Sequence, residues 1–234
     1  MRFKLMTYNI QHGLRHLKGG IDLGMVADVI RKFDPDVVTL NEVRDSGDDP
    51  EYFHQTERIA KLLGWPNYYF ARAITFPDGG DYGNAILSKL PFKSVQTILI
   101  PDPPVKDEDK YYETRCLLKA EFDGFMVLAT HMGLARAEAK NAVSTVLANT
   151  GKEPIVLMGD FNLEPDDPIL APIYAAFTDT ATILKDKTLK SWPSDAPRIK
   201  IDYIFTKNVK KIIGADIPQI LATDHCPHLA EIEI

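Results

Sequence analysis

The feature that most constrains this chain is a recurring junction at which a short apolar run stops at a polar side chain. "LMTYNI" carries Asn9, "VVTLNE" reaches Glu42, "MVLATH" closes on His131 and "IVLMGD" closes on Asp160. Short apolar runs rich in β-branched residues read as buried strands. A rigid sheet holds the last side chain of a strand firmly yet lets it reach into a cleft. Strands have to end somewhere, so one polar end would carry no weight. Four ends that together supply two carboxylates, a carboxamide and an imidazole point to a shared site.

Elsewhere the periodicity changes. "IDLGMVADVIRKF" predicts a helix with Met25, Val29, Ile30 and Phe33 on one stripe, closing before "DPD". Further helices are expected at Thr56–Leu63, at Ala135–Asn149 with Val143, Val146 and Leu147 at helical spacing, and at Asp167–Ala176. Strands are expected at "YYFARAI", "NAILSK", "ETRCLLKAEF" and "IKIDYIF", with a last pair around "ATDHCPHLAEI". No repeat or long Gly/Ser linker divides the 234 residues, so residues 1–234 read as one α/β domain of sheet-rich layers covered by helices.

The formal net charge of -6 argues against gripping long duplex nucleic acid by phosphate neutralisation, while leaving room for a local basic groove. Cys116 and Cys226 are too few and too far apart for a disulfide framework or zinc site, and read as small core residues. "MRFKLMTYNI" enters a strand at once, and no run reaches transmembrane length. The expectation is a cytoplasmic monomer without stable membrane insertion, unless a leader has been removed.

In "VLMGDFNLEP", Asp160 and Asn162 fit two readings. Gly, Asp and Asn are residues that make tight turns. They could equally be functional groups, and the rest of the chain has to decide.

The ordered set "TYNI", "NEV", "GNAILSK", "ETR", "ATH", "GDFN", "IDYIF" and "TDHCP" resembles, nearly end to end, the endonuclease/exonuclease/phosphatase superfamily of magnesium-dependent phosphoesterases. The resemblance implies a four-layer α/β sandwich, with two packed mixed β-sheets flanked by helices. It implies magnesium (Mg2+), with manganese (Mn2+) as substitute, held by Glu42 with Asn9 close by and Asp224 near the metal or the water. Magnesium takes few protein carboxylates and keeps waters, which leaves room for a phosphate oxygen. Asp160 would orient or deprotonate the attacking water, and Asn162 would hold a phosphate oxygen. Their i, i+2 spacing on an extended segment would point both side chains the same way. Asp202 would fix the ring of His225 and favour its cation, which can stabilise a negative transition state. His131 stands where the apurinic-site repair nucleases carry an Asn-Tyr-type segment. That places the chain with the deoxyribonuclease, sphingomyelinase and phosphatase branches, where the second imidazole contacts phosphate or protonates the leaving oxygen.

Several residues keep two readings. Glu42 could be a solvated strand end, and "TDH" a turn bearing a surface His. Arg115 could touch phosphate or pair with a buried carboxylate. Asn84 could line the site or satisfy a strand end, and His12 could support Asn9. Tyr111 and Tyr112 could meet substrate or simply pack. The function expected is hydrolysis of a phosphoester, as phosphodiesterase or phosphatase, on a small or lipid-derived substrate, because the loop Asp102–Asp109 is acidic where a duplex binder would display Lys or Arg. The alternative is an endonuclease or exonuclease on DNA or RNA, and a more remote one is a non-catalytic binding module.

Overall fold

The structure, a computed structural model, describes residues 1–47, 49–77 and 79–234. The chain runs β1 (Arg2–Asn9), α1 (Leu23–Phe33), β2 (Val37–Arg44), α2 (Gln55–Leu63), β3 (Asn67–Thr75), β4 (Asp81–Ser88) and β5 (Ser94–Leu99). It continues through β6 (Cys116–Glu121), β7 (Met126–His131), α3 (Arg136–Ala148), β8 (Ile155–Asp160), α4 (Ala171–Ala176), β9 (Thr178–Asp179), β10 (Asp202–Lys207), β11 (Lys211–Asp216) and β12 (His228–Glu233).

Among the described residues the strands form two six-stranded mixed sheets, ordered β11-β12-β1-β2-β4-β3 and β5-β6-β7-β8-β10-β9. Each sheet has one parallel pair at its centre, β1 with β2 and β7 with β8. Parallel neighbours need a crossover, which α1 and α3 provide. All four of these strands therefore point their C-terminal ends the same way within each pair; β1, β7 and β8 end at the polar junctions Asn9, His131 and Asp160, while β2 carries Glu42 two residues before its end.

Side-chain alternation explains the layers. In β8, Ile155 and Leu157 pack towards the helices, while Val156 and Met158 pack between the sheets. Phe3 and Leu5 of β1, Val127 and Ala129 of β7 and Ile204 of β10 share that middle layer. Continuing the same parity to the strand ends places Asn9, Asn41, His131, Asp160 and Asp202 in it too. The middle layer is thus apolar along most of its length and polar at one end. Helix α1 closes the outer face of the first sheet with Leu23, Val26, Val29 and Ile30. Its start is capped by Asp22, whose carboxylate accepts from the Met25 N–H at 2.9 Å.

Several expectations need correction. Met25 and Phe33 are only half-buried, and the core stripe of α1 is instead Leu23, Val26, Ala27, Val29 and Ile30. The final strand pair is β11 with β12, and "ATDHC" lies in the loop between them. "ETR" precedes β6 rather than joining it, and the edge strand β5 was not anticipated. The acidic loop has internal partners: the Glu108 carboxylate accepts from the Arg136 and Ala137 N–H groups at the start of α3, at 2.8 and 3.0 Å. Asp102 accepts from the Thr114 hydroxyl at 3.0 Å. Cys116 and Cys226 are buried free thiols, as expected. No helix among the described residues is long and apolar enough to cross a membrane.

His228 at the start of β12 is fully buried beside Lys200, Asp179 and Asp202. Burial first, then the Lys200 cation, pushes its pKa down to about 4. Below the ordinary value of about 6.5 the unfolded chain takes a proton that the folded chain refuses, so stability is lost as pH falls from there through about 4. Denaturant unfolding at a series of pH values should show His228→Asn losing less stability over this window than the parent, by on the order of 3 kcal/mol. Parallel curves would contradict this role for the buried ring.

Candidate active site

The register of the second sheet builds the site. Asp160 at the end of β8 is paired with His131 on one side and with Asp202 on the other. Gly159 just before it is required, since a Cβ there would lie 1.8 Å from the Thr130 carbonyl oxygen of the neighbouring strand. The first sheet then reaches across. Asn9 Nδ2 donates to Asp160 Oδ2 at 3.0 Å and to Glu42 Oε1 at 3.0 Å. The Asp160 N–H donates to Asn41 Oδ1 at 3.0 Å.

Glu42 arrives by a different route from the one expected. Strand β2 does not stop there but runs on to Arg44, and its register against β4 shifts between Leu40 and Val43. By alternation Glu42 would follow Val38 and Leu40 towards the helices. The bulge, with Glu42 at φ 57°, breaks that alternation. A non-glycine residue in the left-handed region is uncommon and costs about 1–3 kcal/mol, which fits a side chain aimed for a purpose.

Asn162 also corrects the extended-segment picture. It lies beyond β8 at φ 51°, and its N–H donates to Asp160 Oδ1 at 2.9 Å. The turn reading and the site reading both hold: the Asp160 carboxylate makes the turn, and the turn brings the Asn162 amide to 3.1 Å from His131 Nε2. Asn162 Nδ2 also donates to the Met132 carbonyl at 2.9 Å.

His225 Nδ1 lies 2.8 Å from Asp202 Oδ2, and its Nε2 lies 3.7 Å from Asp160 Oδ2. Burial alone would lower the pKa of this ring. The Asp202 and Asp160 carboxylates and the hydrogen bond to Asp202 overcome it and push it up to about 10. Asp160 is pushed up to about 7, by burial and then by Asp202, against the pull of His225, the Asn162 N–H and Asn9. The protein's own buried groups therefore favour the protonated form of this carboxylate. His131 is held well below its ordinary value by burial, then by the Arg115 and His225 cations. Asp224, half-buried, is raised by burial and by the like charge of Glu42, against His225.

The oxygen and imidazole donors, without a thiolate, suit a hard divalent cation. Asp160, Asp202 and His225 offer ligand atoms all within 4.8 Å of one another. Asp224 Oδ1 and Asp202 Oδ1 are buried oxygens without a hydrogen-bond partner. Buried polar atoms are nearly always satisfied, so such orphans fit a bound water or ion.

A model of the endonuclease/exonuclease/phosphatase family matches residues 6–225. The chain belongs to that family. Members of the endonuclease/exonuclease/phosphatase family are hydrolases of phosphoester bonds. The uncharacterized protein YbhP of Escherichia coli K12 is 24% identical over 252 residues, spanning 99% of this chain and 96% of YbhP. A family structure from Beutenbergia cavernae superposes with a TM-score of 0.86 at 24% identity, covering 100% of this chain and 72% of that one. The mannosyl-6-phosphatase Bt3783 of Bacteroides thetaiotaomicron superposes with a TM-score of 0.78 at 16% identity, covering 99% and 100%. At these identities the superpositions establish the shared four-layer α/β fold.

The residues left open in sequence now have places. Arg115 is buried and paired with Glu113 at 2.9 Å. Asn84 is buried too, accepting from Asn41 Nδ2 at 2.8 Å and donating to the Cys116 carbonyl at 3.2 Å. His12 sits beside Glu42, with burial lowering its pKa and Glu42 opposing. Tyr111 is exposed, and the Tyr112 hydroxyl accepts from the Glu108 N–H at 3.0 Å. Sequence reasoning missed Asn41, Thr223 and Ser191. The Thr223 hydroxyl donates to the Asn9 carbonyl at 2.9 Å, and Ser191 Oγ accepts from the Asp202 N–H at 3.2 Å. Only Asn41 left a signal, as a carboxamide at an apolar strand's end. Its amide serves Asp160, Asn84 and the Thr130 carbonyl at once, all buried. Asn41→Ala should therefore cost on the order of 2–3 kcal/mol in denaturant unfolding, well above a surface substitution. A change below about 0.5 kcal/mol would show that this amide is not holding the sheets together.

Proposed function

We propose that the protein is a divalent-metal-dependent phosphoester hydrolase, with magnesium the expected ion, acting on a small or lipid-derived substrate as a single domain and a monomer. The observation that carries the reading is Asp160: a buried carboxylate between His131 and His225, the latter ion-paired to Asp202 at 2.8 Å. A group that can hold water thus stands next to a fixed cation that can receive phosphate.

Asp160 Oδ2 orients the attacking water and, with its raised pKa, is suited to take the proton as the water adds to phosphorus. Asp202 holds the His225 ring, whose charge persists through neutral pH and stabilises the negative oxygens of the transition state. Asn162 offers its amide N–H to a phosphate oxygen. The metal would be held by Glu42 and Asp224, with Asn9 orienting Glu42, and when bound would supply Lewis-acid charge to the phosphoryl group. The Asp160, Asp202 and His225 group is the tighter cluster, but its imidazolium already neutralises Asp202. The orphaned Asp224 Oδ1 supports placing the cation on the Glu42 side. A small substrate is favoured by the net charge of -6 and by the phosphatase named among the solved neighbours.

Hydrolysis screened across nucleic acids, lipid head-group diesters, sugar phosphates and inositol phosphates with magnesium is expected to find turnover that exhaustive chelation abolishes and magnesium or manganese restores. Full activity after chelation would contradict the metal assignment. Asp160→Asn and His225→Ala should each lower kcat by at least ~10²-fold in folded protein, and Asp202→Asn should match His225→Ala. Near-parental turnover by either of the first two would remove its role. Glu42→Gln should weaken metal binding measured by calorimetry.

On substrate choice, kcat/KM at matched moderate salt should be higher for the best small or lipid-derived phosphoester than for duplex DNA. Efficient cleavage of plasmid or abasic duplex with no small-ester activity would move the assignment to a nuclease.

A further inference from the structure

His131 and His225 both flank Asp160, but their outer nitrogens face opposite chemistry. His225 Nδ1 faces the Asp202 carboxylate. His131 Nδ1 faces Arg115 Nη1 at 2.9 Å. Two pure donors face the ring, the Arg115 guanidinium at 2.9 Å from Nδ1 and the neutral Asn162 amide at 3.1 Å from Nε2; the cation is the closer and stronger, so His131 Nδ1 presents its lone pair to Arg115. The ring's single proton then lies on Nε2, and a second proton on Nδ1 would point an N–H at an N–H. Arg115 is itself held: Nη1 lies 2.9 Å from Glu113 Oε1 and 3.5 Å from the Tyr82 hydroxyl, and both Arg115 and Glu113 are buried.

On the site side, His131 Nε2 lies 3.1 Å from Asn162 Nδ2 and 3.6 Å from Asp160 Oδ2. The Met132 carbonyl, 2.9 Å from Asn162 Nδ2, fixes which way that amide faces. With Nε2 protonated, the 3.1 Å contact joins two donors and is not a hydrogen bond. Two donors held this close are satisfied together by one acceptor in front of them.

We infer that Arg115 is a positioning residue that sets His131 as a neutral ring protonated on Nε2, so that His131 and Asn162 offer paired N–H donors to one non-bridging phosphate oxygen. This rests on the phosphoester reading above and specifies the part His131 takes in it. Of the two roles the resemblance implied for His131, it selects phosphate contact. Giving up the Nε2 proton to a leaving oxygen would leave the ring an imidazolate, because Nδ1 carries none. The two imidazoles therefore divide the work: His225 brings charge and His131 brings direction.

The direct test is the ring-nitrogen NMR of His131 in nitrogen-15-labelled protein at neutral pH, without and with inorganic phosphate. The expected spectrum shows Nε2 protonated and Nδ1 bare, with the Nε2–H signal moving on phosphate addition. A protonated Nδ1, or no response to phosphate, would overturn the inference. The variant Glu113→Gln/Arg115→Met removes the donor without stranding a buried carboxylate and should yield mixed tautomers, while Arg115→Lys should keep the parental one. A double variant that keeps the single tautomer would show that Arg115 does not set it. His131→Asn should lower kcat by a similar factor, about 10²-fold, on p-nitrophenyl and on alkyl phosphoesters, since a hydrogen-bond donor is indifferent to the leaving group. A loss confined to the alkyl ester would make His131 the general acid and overturn the assignment. Absence of hydrolysis on every ester, alongside the expected tautomer, would refute the hydrolase reading and leave the Arg115 assignment standing.

Discussion

Asp160 is reached from the opposite sheet by two carboxamides, and the rest of the site depends on that crossing. Asn9 donates to its carboxylate and Asn41 accepts from its backbone N–H, each at 3.0 Å. Elsewhere the sheets meet through apolar side chains such as Leu5, Val127, Met158 and Ile204, which make a non-directional contact. The amides are directional. Each hydrogen bond contributes about 1 kcal/mol net, but a buried partner left without one costs more. The polar end of the middle layer therefore fixes how the sheets sit on each other, and the same bonds fix the carboxylate proposed to hold water.

Local strain collects around that point. Glu42 at φ 57°, Asn162 at φ 51° and His12 at φ 57° all occupy the left-handed region. Each is tied in place by neighbours: Glu42 by Asn9, Asn162 by Asp160, and the His12 carbonyl by Gln55 Nε2 at 2.7 Å. Strain of this kind persists where the surroundings over-determine it. Here it turns Glu42 out of the alternation of β2 and folds Asn162 back onto Asp160.

Much of this was legible in the sequence, for physical reasons. A strand buried on both faces needs an unbroken apolar run, so the interruption by Asn9, His131 or Asp160 shows as a break in composition. The i, i+2 rule then carries the inner face of β8 from Val156 and Met158 to Asp160 without any structure. What failed were the places where the backbone leaves ideal geometry. The bulge at Glu42 has no strong local signature, because the position is not a glycine; at Asn162 the sequence does offer the turn, but not that the turn and the site coincide. Partners far apart in sequence were also invisible. Nothing near Arg115 announces that it will meet His131, and nothing near Thr223 announces that it will bond the Asn9 carbonyl. Such pairs exist only once the sheets have packed.

The central claim is that this seam positions a water for attack on phosphorus. Turnover of bis(p-nitrophenyl) phosphate in heavy-oxygen water with magnesium tests it most directly, followed by mass spectrometry of both products. The account predicts that the heavy oxygen enters the phosphate product and none enters p-nitrophenol. Label in the phenol, or no turnover of this or any other phosphoester with a divalent metal supplied, would contradict it.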